Sequence, residues 1–327
     1  MTGSDSPVGA LLLGADVGGT ATRVAIATAE GEVLALAAGP AGNPNSVGVE
    51  TSAQRIRTAA AQCLAHLGAA AGLVRAAVIG LAGGARADAS FLASALPEGT
   101  AAPRLVSDLS VAFCSATPAR EGYVLVAGTG AVAGRIVDGD LHQRRDGWGW
   151  LLGDEGSGFW LGREAVRATV RRLQAGPDAT SPVGPLGDAV IEVVGTSDPV
   201  GIVQHCYTQP PVWLAGFAEL VSRYAATDPD ASRIAARAAE LLENTLLDLA
   251  PAPDLPVVLA GSVATRPGPV HDALSHRLAE RLGHPPLVAD SGVVGALWLA
   301  ARALDRADPA VHARLTRSAR RTSGTVV

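Results

Sequence analysis

The chain contains no lysine: all 26 of its Lys+Arg positions are arginine. A Walker-A nucleotide site, a protein-kinase ATP site and a Schiff-base enzyme each need a lysine ammonium at a fixed place, so those classes are excluded. Aromatic residues make up only 4% of the chain, against 38 glycines and abundant alanine, so the core must be built from small aliphatic side chains on closely packed backbones. Cysteine is scarce too. Cys63, Cys114 and Cys206 are far apart and form no CxxC or Cys/His cluster, which excludes a disulfide framework or a zinc site and reads them as small buried hydrophobes. With 26 basic against 31 acidic residues the net charge is −5, and 17% charged residues give no cationic field for nucleic acid or anionic membrane. No run reaches the ~18 apolar residues of a membrane span. Met1–Pro7 lacks the positive flank of a signal peptide. The expectation is a cytoplasmic protein with small-molecule partners, no nucleic acid and no membrane.

What is present is organised as a repeat. The 327 residues, 48% hydrophobic, are enough for about two domains with a core each. From Ala10 the chain reads as two aliphatic strands around a Gly-Gly-Thr turn, followed by a Glu-Gly turn. Val24–Ala27 continues as strand, so the helix that a Rossmann fingerprint needs after its glycines is missing. From about residue 122 the pattern recurs, now around Gly-Thr-Gly and with an Asp-Gly second turn. Two such units predict a duplicated α/β architecture: an N-terminal domain over 9–117 and a C-terminal domain over 118–307. Helices are expected from about Thr51, over about Ala87–Ala95, from about Ser110 and over Gly292 to about Leu304. The last of these is a candidate to pack back on the first domain. Residues 308–327 read as a frayed basic tail.

Three turns carry chemistry. In Asp16-Val17-Gly18-Gly19-Thr20, a carboxylate ends a strand and two glycines and a hydroxyl follow. Such a turn offers an acid for Mg²⁺ and exposed N–H groups for phosphate oxygens. Gly128-Thr129-Gly130 and Gly261-Ser262 repeat the design. Each alone reads equally as a tight turn; together they predict one nucleotide lying across a cleft.

Asp108 stands just past a strand at the start of a helix. Its plain reading is an N-cap, a role Ser107 can also fill, and its chemical reading is a base for a substrate hydroxyl during in-line phosphoryl transfer. The densest polar cluster runs from Arg144 to Val166, where Asp154 and Glu155 lie between glycines and near Trp148, Trp150 and Trp160. Paired acids beside an aromatic face suit a sugar; the alternative is a helix N-terminus beginning at Ser157.

With these pieces placed, the chain resembles the N-acetylglucosamine kinase branch of the sugar-kinase, actin and heat-shock ATPase superfamily, the branch that includes the BadF/BadG-type ATPases. The stretches that carry the likeness are LGADVGGTATRVAIA, PAGNPNS, IGLAGG, SDLSVAF, LVAGTGAVA, GWGWLLGDEGSGFWLGREA and VLAGSVA. The resemblance implies two duplicated ribonuclease-H-like (actin-like ATPase) domains with a central cleft, and use of ATP and Mg²⁺. It implies Asp16 at the metal, with Gly18, Gly19, Thr20, Gly128, Thr129 and Gly130 at the phosphates and Gly261-Ser262 facing adenosine. Asp108 becomes the base on the sugar 6-hydroxyl, and Asn43, Gly83, Trp148, Asp154 and Glu155 the sugar contacts. One departure is Ala131, where the family's second phosphate loop often carries serine and its hydroxyl. The substrate expected is an amino hexose: glucosamine first, N-acetylglucosamine as the alternative. A non-catalytic sugar- and ATP-binding regulator is the reading from another class. Relatives of this branch are commonly dimers, so a homodimer is among the expected assemblies.

Overall fold

The computed structural model describes residues 9–83, 88–175 and 183–322. Met1–Pro7, the first position of the helix expected from Ala87, residues 176–182 and residues 323–327 of the tail lie outside them. In chain order the first elements are β1 (Leu11–Val17), β2 (Ala21–Thr28), β3 (Val33–Pro40), α1 (Pro44–Val47), α2 (Val49–Leu67), β4 (Val74–Leu81), α3 (Ala89–Ser94), β5 (Pro103–Ser107) and α4 (Asp108–Ala116). There follow β6 (Glu121–Ala127), β7 (Ala131–Val137), β8 (Asp140–Asp146), α5 (Gly158–Gln174), α6 (Gly184–Val194), α7 (Pro199–Thr208), α8 (Ala218–Tyr224) and α9 (Pro229–Leu247). The last are β9 (Val257–Ala260), α10 (Ser262–Thr265), α11 (Pro269–Leu282), β10 (Leu287–Val288), α12 (Gly292–Ala303) and α13 (Pro309–Thr322).

The duplication is visible in the sheets. One has the order β3-β2-β1-β4-β5, and the other, read from its opposite edge, β8-β7-β6-β9-β10. In the first, β1 pairs antiparallel with β2 and parallel with β4; in the second, β6 pairs parallel with β9. Both are the hairpin-plus-crossover sheet that the repeated strand–turn–strand pattern predicts.

By internal contacts the chain forms two compact units. The first comprises Met1–Gly122, Ile136–His142 and Ala289–Val327; the second Tyr123–Arg135 and Gln143–Val288. In the first unit, α2 lays Ile56, Ala60, Cys63 and Leu64 on one face of the sheet, among Leu11, Leu13, Val24 and Ile26. Gly68, in the left-handed conformation, stops that helix by donating its N–H to Ala65 and Leu64. The opposite face meets α12, a helix rich in small residues. A Cβ on Gly14 would come within 2.9 Å of Val293 and Leu297, so β1 and α12 approach at backbone distance. This is how a chain poor in aromatics fills its interior. Close approach brings dispersion contacts that bulky side chains would otherwise supply. The second unit packs Leu125, Ala131, Leu161, Val190, Ile234, Leu242 and Leu259 into its own core.

Two expectations are corrected. The basic segment after 308 is not frayed over its described part: α13 buries Val311, Leu315 and Ala319, and Ser318 Oγ accepts the Val33 N–H at 2.9 Å. Its apolar stripe recurs every four residues between arginines, and this sparse period is masked by charge in the sequence. Cys206 is only partly buried, unlike Cys63 and Cys114. Burial pushes the Cys63 and Cys114 thiols up to about 11 and about 12, which leaves them unreactive.

Candidate functional site

The predicted residues fall into one group in each unit. In the first, Asp16 lies one residue before the end of β1, and Gly18-Gly19-Thr20 forms the turn into β2, closed by the Gly18 N–H on Ala21 O at 3.0 Å. The Asn43 loop is tied to that turn: the N–H groups of Gly42 and Asn43 both donate to Gly18 O, at 3.0 and 3.2 Å. Asn43 caps α1 through its side chain, which accepts from Asn45 N at 2.9 Å. Gly83 joins the same place. Its φ is +68°, and a Cβ there would meet Asn45 and stand 2.9 Å from Asn43 Oδ1, so only glycine fits beside the loop.

Asp108 is the first residue of α4. Ser107 is its N-cap, accepting from Leu109 N at 3.2 Å, while Asp108 Oδ1 takes the Leu109 N–H at 3.1 Å and the Ser107 hydroxyl at 3.2 Å. The serine caps the helix and the aspartate is held at its positive end. Asp16 and Asp108 sense each other. Burial pushes the Asp16 carboxyl up to about 6, opposed by Arg23 and reinforced by the charge of Asp108. A Cβ on Gly292, where α12 starts, would lie 2.6 Å from the Asp16 carboxylate, so the missing side chain makes room for the acid.

In the second unit, Gly128-Thr129-Gly130 and Gly261-Ser262 lie backbone against backbone. A Cβ on Gly261 would sit 2.9 Å from Gly128 N, and φ of Gly261 is +82°. The start of α5 is closed by the first of these turns: Gly158 N donates to Gly128 O at 2.7 Å and Phe159 N to Thr129 O at 3.1 Å. A cavity of about 260 Å³ opens there, lined by Gly128, Thr129 and Ser262 together with Glu219, Arg266 and His271. Arg266 and Glu219 face each other at 3.7 Å, and His271 Nδ1 lies 2.7 Å from Ala264 O. Sequence reasoning missed this second set, because α8 and α11 bear no motif and only the tertiary fold brings them to the turns.

The Asp154-Glu155 loop is organised by a residue the sequence did not single out. Asp146 accepts the Asp154 N–H at 2.8 Å and the Glu155 N–H at 3.1 Å. Asp154 in turn accepts the Ala131 N–H at 3.1 Å, and a Cβ on Gly130 would lie 2.9 Å from its carboxylate. Burial, with the nearby charge of Asp146, holds the Asp154 carboxyl above the usual range despite that hydrogen bond. Trp148 is 64% exposed and Trp150 47%, but Trp160 belongs to the core at 7% and does not frame the loop. The guanidinium of Arg144 stacks over Trp148, 5.2 Å from the ring centre. The Ala131 side chain also lies in the core, so a hydroxyl there would be buried among apolar groups. The departure at 131 therefore removes nothing from the surface of the turn.

Among the described residues no group of three or more His, Cys, Asp or Glu could hold a metal ion by itself, and no helix is long and apolar enough to cross a membrane. The two matching sheets and the glycine turns define an α/β protein with the actin-like ATPase and sugar-kinase fold. The chain belongs to the BadF/BadG/BcrA/BcrD ATPase family, which it matches over residues 13–300. It is 30% identical over 164 residues to an N-acetylmuramic acid/N-acetylglucosamine kinase of Clostridium acetobutylicum, a match covering 49% of this chain and 53% of that protein. The chain thus spans about half the length of this curated relative. A crystal structure of a protein assigned as an N-acetylglucosamine kinase from Chromobacterium violaceum is similar with a TM-score of 0.74 and 29% identity, covering 90% of this chain and 99% of that one. A ROK family glucokinase from Streptomyces griseus, solved with glucose and AMPPNP, shares the fold at a TM-score of 0.51 and 18% identity, covering 90% and 98% of the two chains.

Proposed function

We propose that this protein is an ATP-dependent kinase that phosphorylates the 6-hydroxyl of an amino hexose, with N-acetylglucosamine the favoured substrate. The observation that carries the reading is the cavity lined by Gly128, Thr129 and Ser262 in a chain of an ATPase family. At about 260 Å³ it lies just below the ~300–1,000 Å³ of small-molecule sites, a size suited to the nucleoside part of ATP.

Asp108 accepts the proton of the sugar hydroxyl as its oxygen bonds to the γ-phosphorus and the bond to the β-phosphate oxygen breaks, releasing ADP. Held by Ser107 and the Leu109 N–H, this carboxylate needs correct position more than high basicity. The acids also fit Mg²⁺. Asp16 and Asp108 are hard oxygen donors close enough to influence each other, and Mg²⁺ is commonly held by one or two carboxylates plus substrate phosphates rather than by a full protein cage. Asp16 would hold the ion, which when bound neutralises charge on the phosphate oxygens.

The 2-substituent is read from the Asp154 loop. One Asp154 oxygen already accepts the Ala131 N–H, and burial raises the cost of the charge that a sugar ammonium would pair with. Exposed Trp148, Trp150, Leu151 and Leu152 instead offer apolar surface suited to an acetamido methyl group. The relative's name points the same way. One observation favours glucosamine: the carboxylate of half-buried Glu155 makes no hydrogen bond to the described residues. ADP release measured with N-acetylglucosamine, glucosamine and glucose at equal concentration separates the readings, and a preference for glucose refutes the amino-sugar assignment.

A further inference from the structure

The loop that carries Asn43 is tied down on two sides. On one, Gly18 O accepts the N–H groups of both Gly42 and Asn43, and a Cβ on Gly42 would overlap Thr22 and Val17, so the loop lies directly on the β1–β2 turn. On the other, Arg55 reaches out from the second turn of α2 and donates a guanidinium N–H to Ala41 O, the carbonyl just before those two donors. Arg55 is half-buried and follows the buried Ser52 and Ala53 and precedes Ile56, so the base of its stem is fixed by the core. One peptide group then joins the loop to the phosphate turn. The bond between Gly18 and Gly19 is trans, so its C=O and N–H point in opposite directions. With the oxygen turned to the Asn43 loop, the Gly19 N–H is turned away from it. Gly19 is exposed, and among the described residues its N–H makes no hydrogen bond. A carbonyl that accepts two hydrogen bonds polarises its amide and makes the N–H a stronger donor.

We infer that Arg55 is a positioning residue that couples the two substrates. By holding the Asn43 loop against Gly18 O it fixes the Gly18–Gly19 peptide with its N–H free for phosphate, so that a sugar settling on Asn43 tightens the grip on the phosphates of the nucleotide. The inference rests on the proposed kinase reading, in which Asn43 meets the sugar and the Gly18–Thr20 turn the phosphates, and adds to it a residue that touches neither substrate. An arginine that only supported the fold would leave the two affinities independent; the tie through Gly18 makes them reciprocal.

Equilibrium binding of AMPPNP, a slowly hydrolysed ATP analogue, and of adenosine, each with and without saturating N-acetylglucosamine, tests this on the full chain and on its Arg55→Ala and Arg55→Lys variants. In wild type the sugar should tighten AMPPNP binding about 5-fold or more, within the usual span of coupling between sites, and leave adenosine, which has no phosphate to meet Gly19, within about twofold. In Arg55→Ala the gain for AMPPNP should fall below about twofold. Arg55→Lys, whose ammonium can still donate to Ala41 O, should retain part of the gain, and it serves where Arg55→Ala is unstable. A gain equal to wild type in both variants, no gain in wild type, or one equally large for adenosine overturns the inference while the kinase reading stands. Wild-type protein that binds neither AMPPNP nor N-acetylglucosamine overturns both.

Discussion

Asp146 holds the backbone of Asp154: its carboxylate accepts the Asp154 N–H at 2.8 Å, and its second oxygen takes the next N–H along, from Glu155. Both aspartates have positive φ, 58° and 59°, so the loop between them is wound by a conformation few side chains adopt and is fixed by charge-assisted hydrogen bonds. Removing the carboxylate should therefore loosen whatever the loop binds. In Asp146→Ala the KM for the sugar should rise about 10-fold or more, with the KM for ATP within about threefold. Asp146→Asn, which keeps one acceptor oxygen, should fall between. Steady-state kinetics with each substrate varied in turn checks this, and an unchanged sugar KM removes Asp146 from the positioning role.

Asp108→Asn retains the shape and hydrogen-bonding reach of the residue at the start of α4 but cannot take a proton. Loss of a general base lowers turnover by about 10²- to 10⁴-fold. The expected result is that loss in kcat with sugar affinity preserved by calorimetry; turnover within threefold of wild type excludes Asp108 as the base.

Asp16 lends itself to a test of stability as well as activity. Its carboxyl sits at about 6 in the folded protein against 3.8 in the unfolded chain. The folded state therefore binds the proton more tightly, and the group costs stability as pH rises from about 4 to about 6, with the full penalty present above 6. A shift of about two units corresponds to about 3 kcal/mol as an upper bound. Asp16→Asn should raise the Tm of the ligand-free protein at pH 7.5, with the gain fading towards pH 4, while phosphorylation is lost. A variant no more stable than wild type at pH 7.5 contradicts the burial of charge inferred here.

The C-terminal helix should be structural. Leu315 is fully buried, and deleting such a side chain to alanine costs about 2–5 kcal/mol. Leu315→Ala should lower the denaturant midpoint accordingly, whereas a change under ~0.5 kcal/mol would mean that the segment is dispensable, as a frayed tail would be.

Much of this was legible beforehand. The repeated strand–turn–strand pattern around Gly18 and Gly128 predicted the matching sheets, because hairpin glycines and alternating aliphatic residues are local signals. Local too were the start of α4 at Asp108 and the Ser157 cap of α5, each written in a few adjacent residues. What escaped was tertiary. Asp146 acts on residues eight and nine positions later through a loop whose fold no periodicity reveals. The cavity residues Glu219 and His271 come from α8 and α11, which bear no motif, and Arg266 follows the end of α10. Trp160 misled because it is close in sequence to two exposed tryptophans, yet helix α5 turns its ring into the core. Ala131 misled in the same way, since a strand's alternation sends its side chain inward from a turn whose neighbours face out.

Product analysis tests phosphoryl transfer from ATP to the 6-hydroxyl of an amino hexose most directly. Purified protein incubated with ATP, Mg²⁺ and N-acetylglucosamine, followed by ³¹P and ¹H NMR, should yield ADP and N-acetylglucosamine 6-phosphate in equal amounts. ATP left intact with every amino hexose tried, or ADP formed without any sugar phosphate, would contradict it.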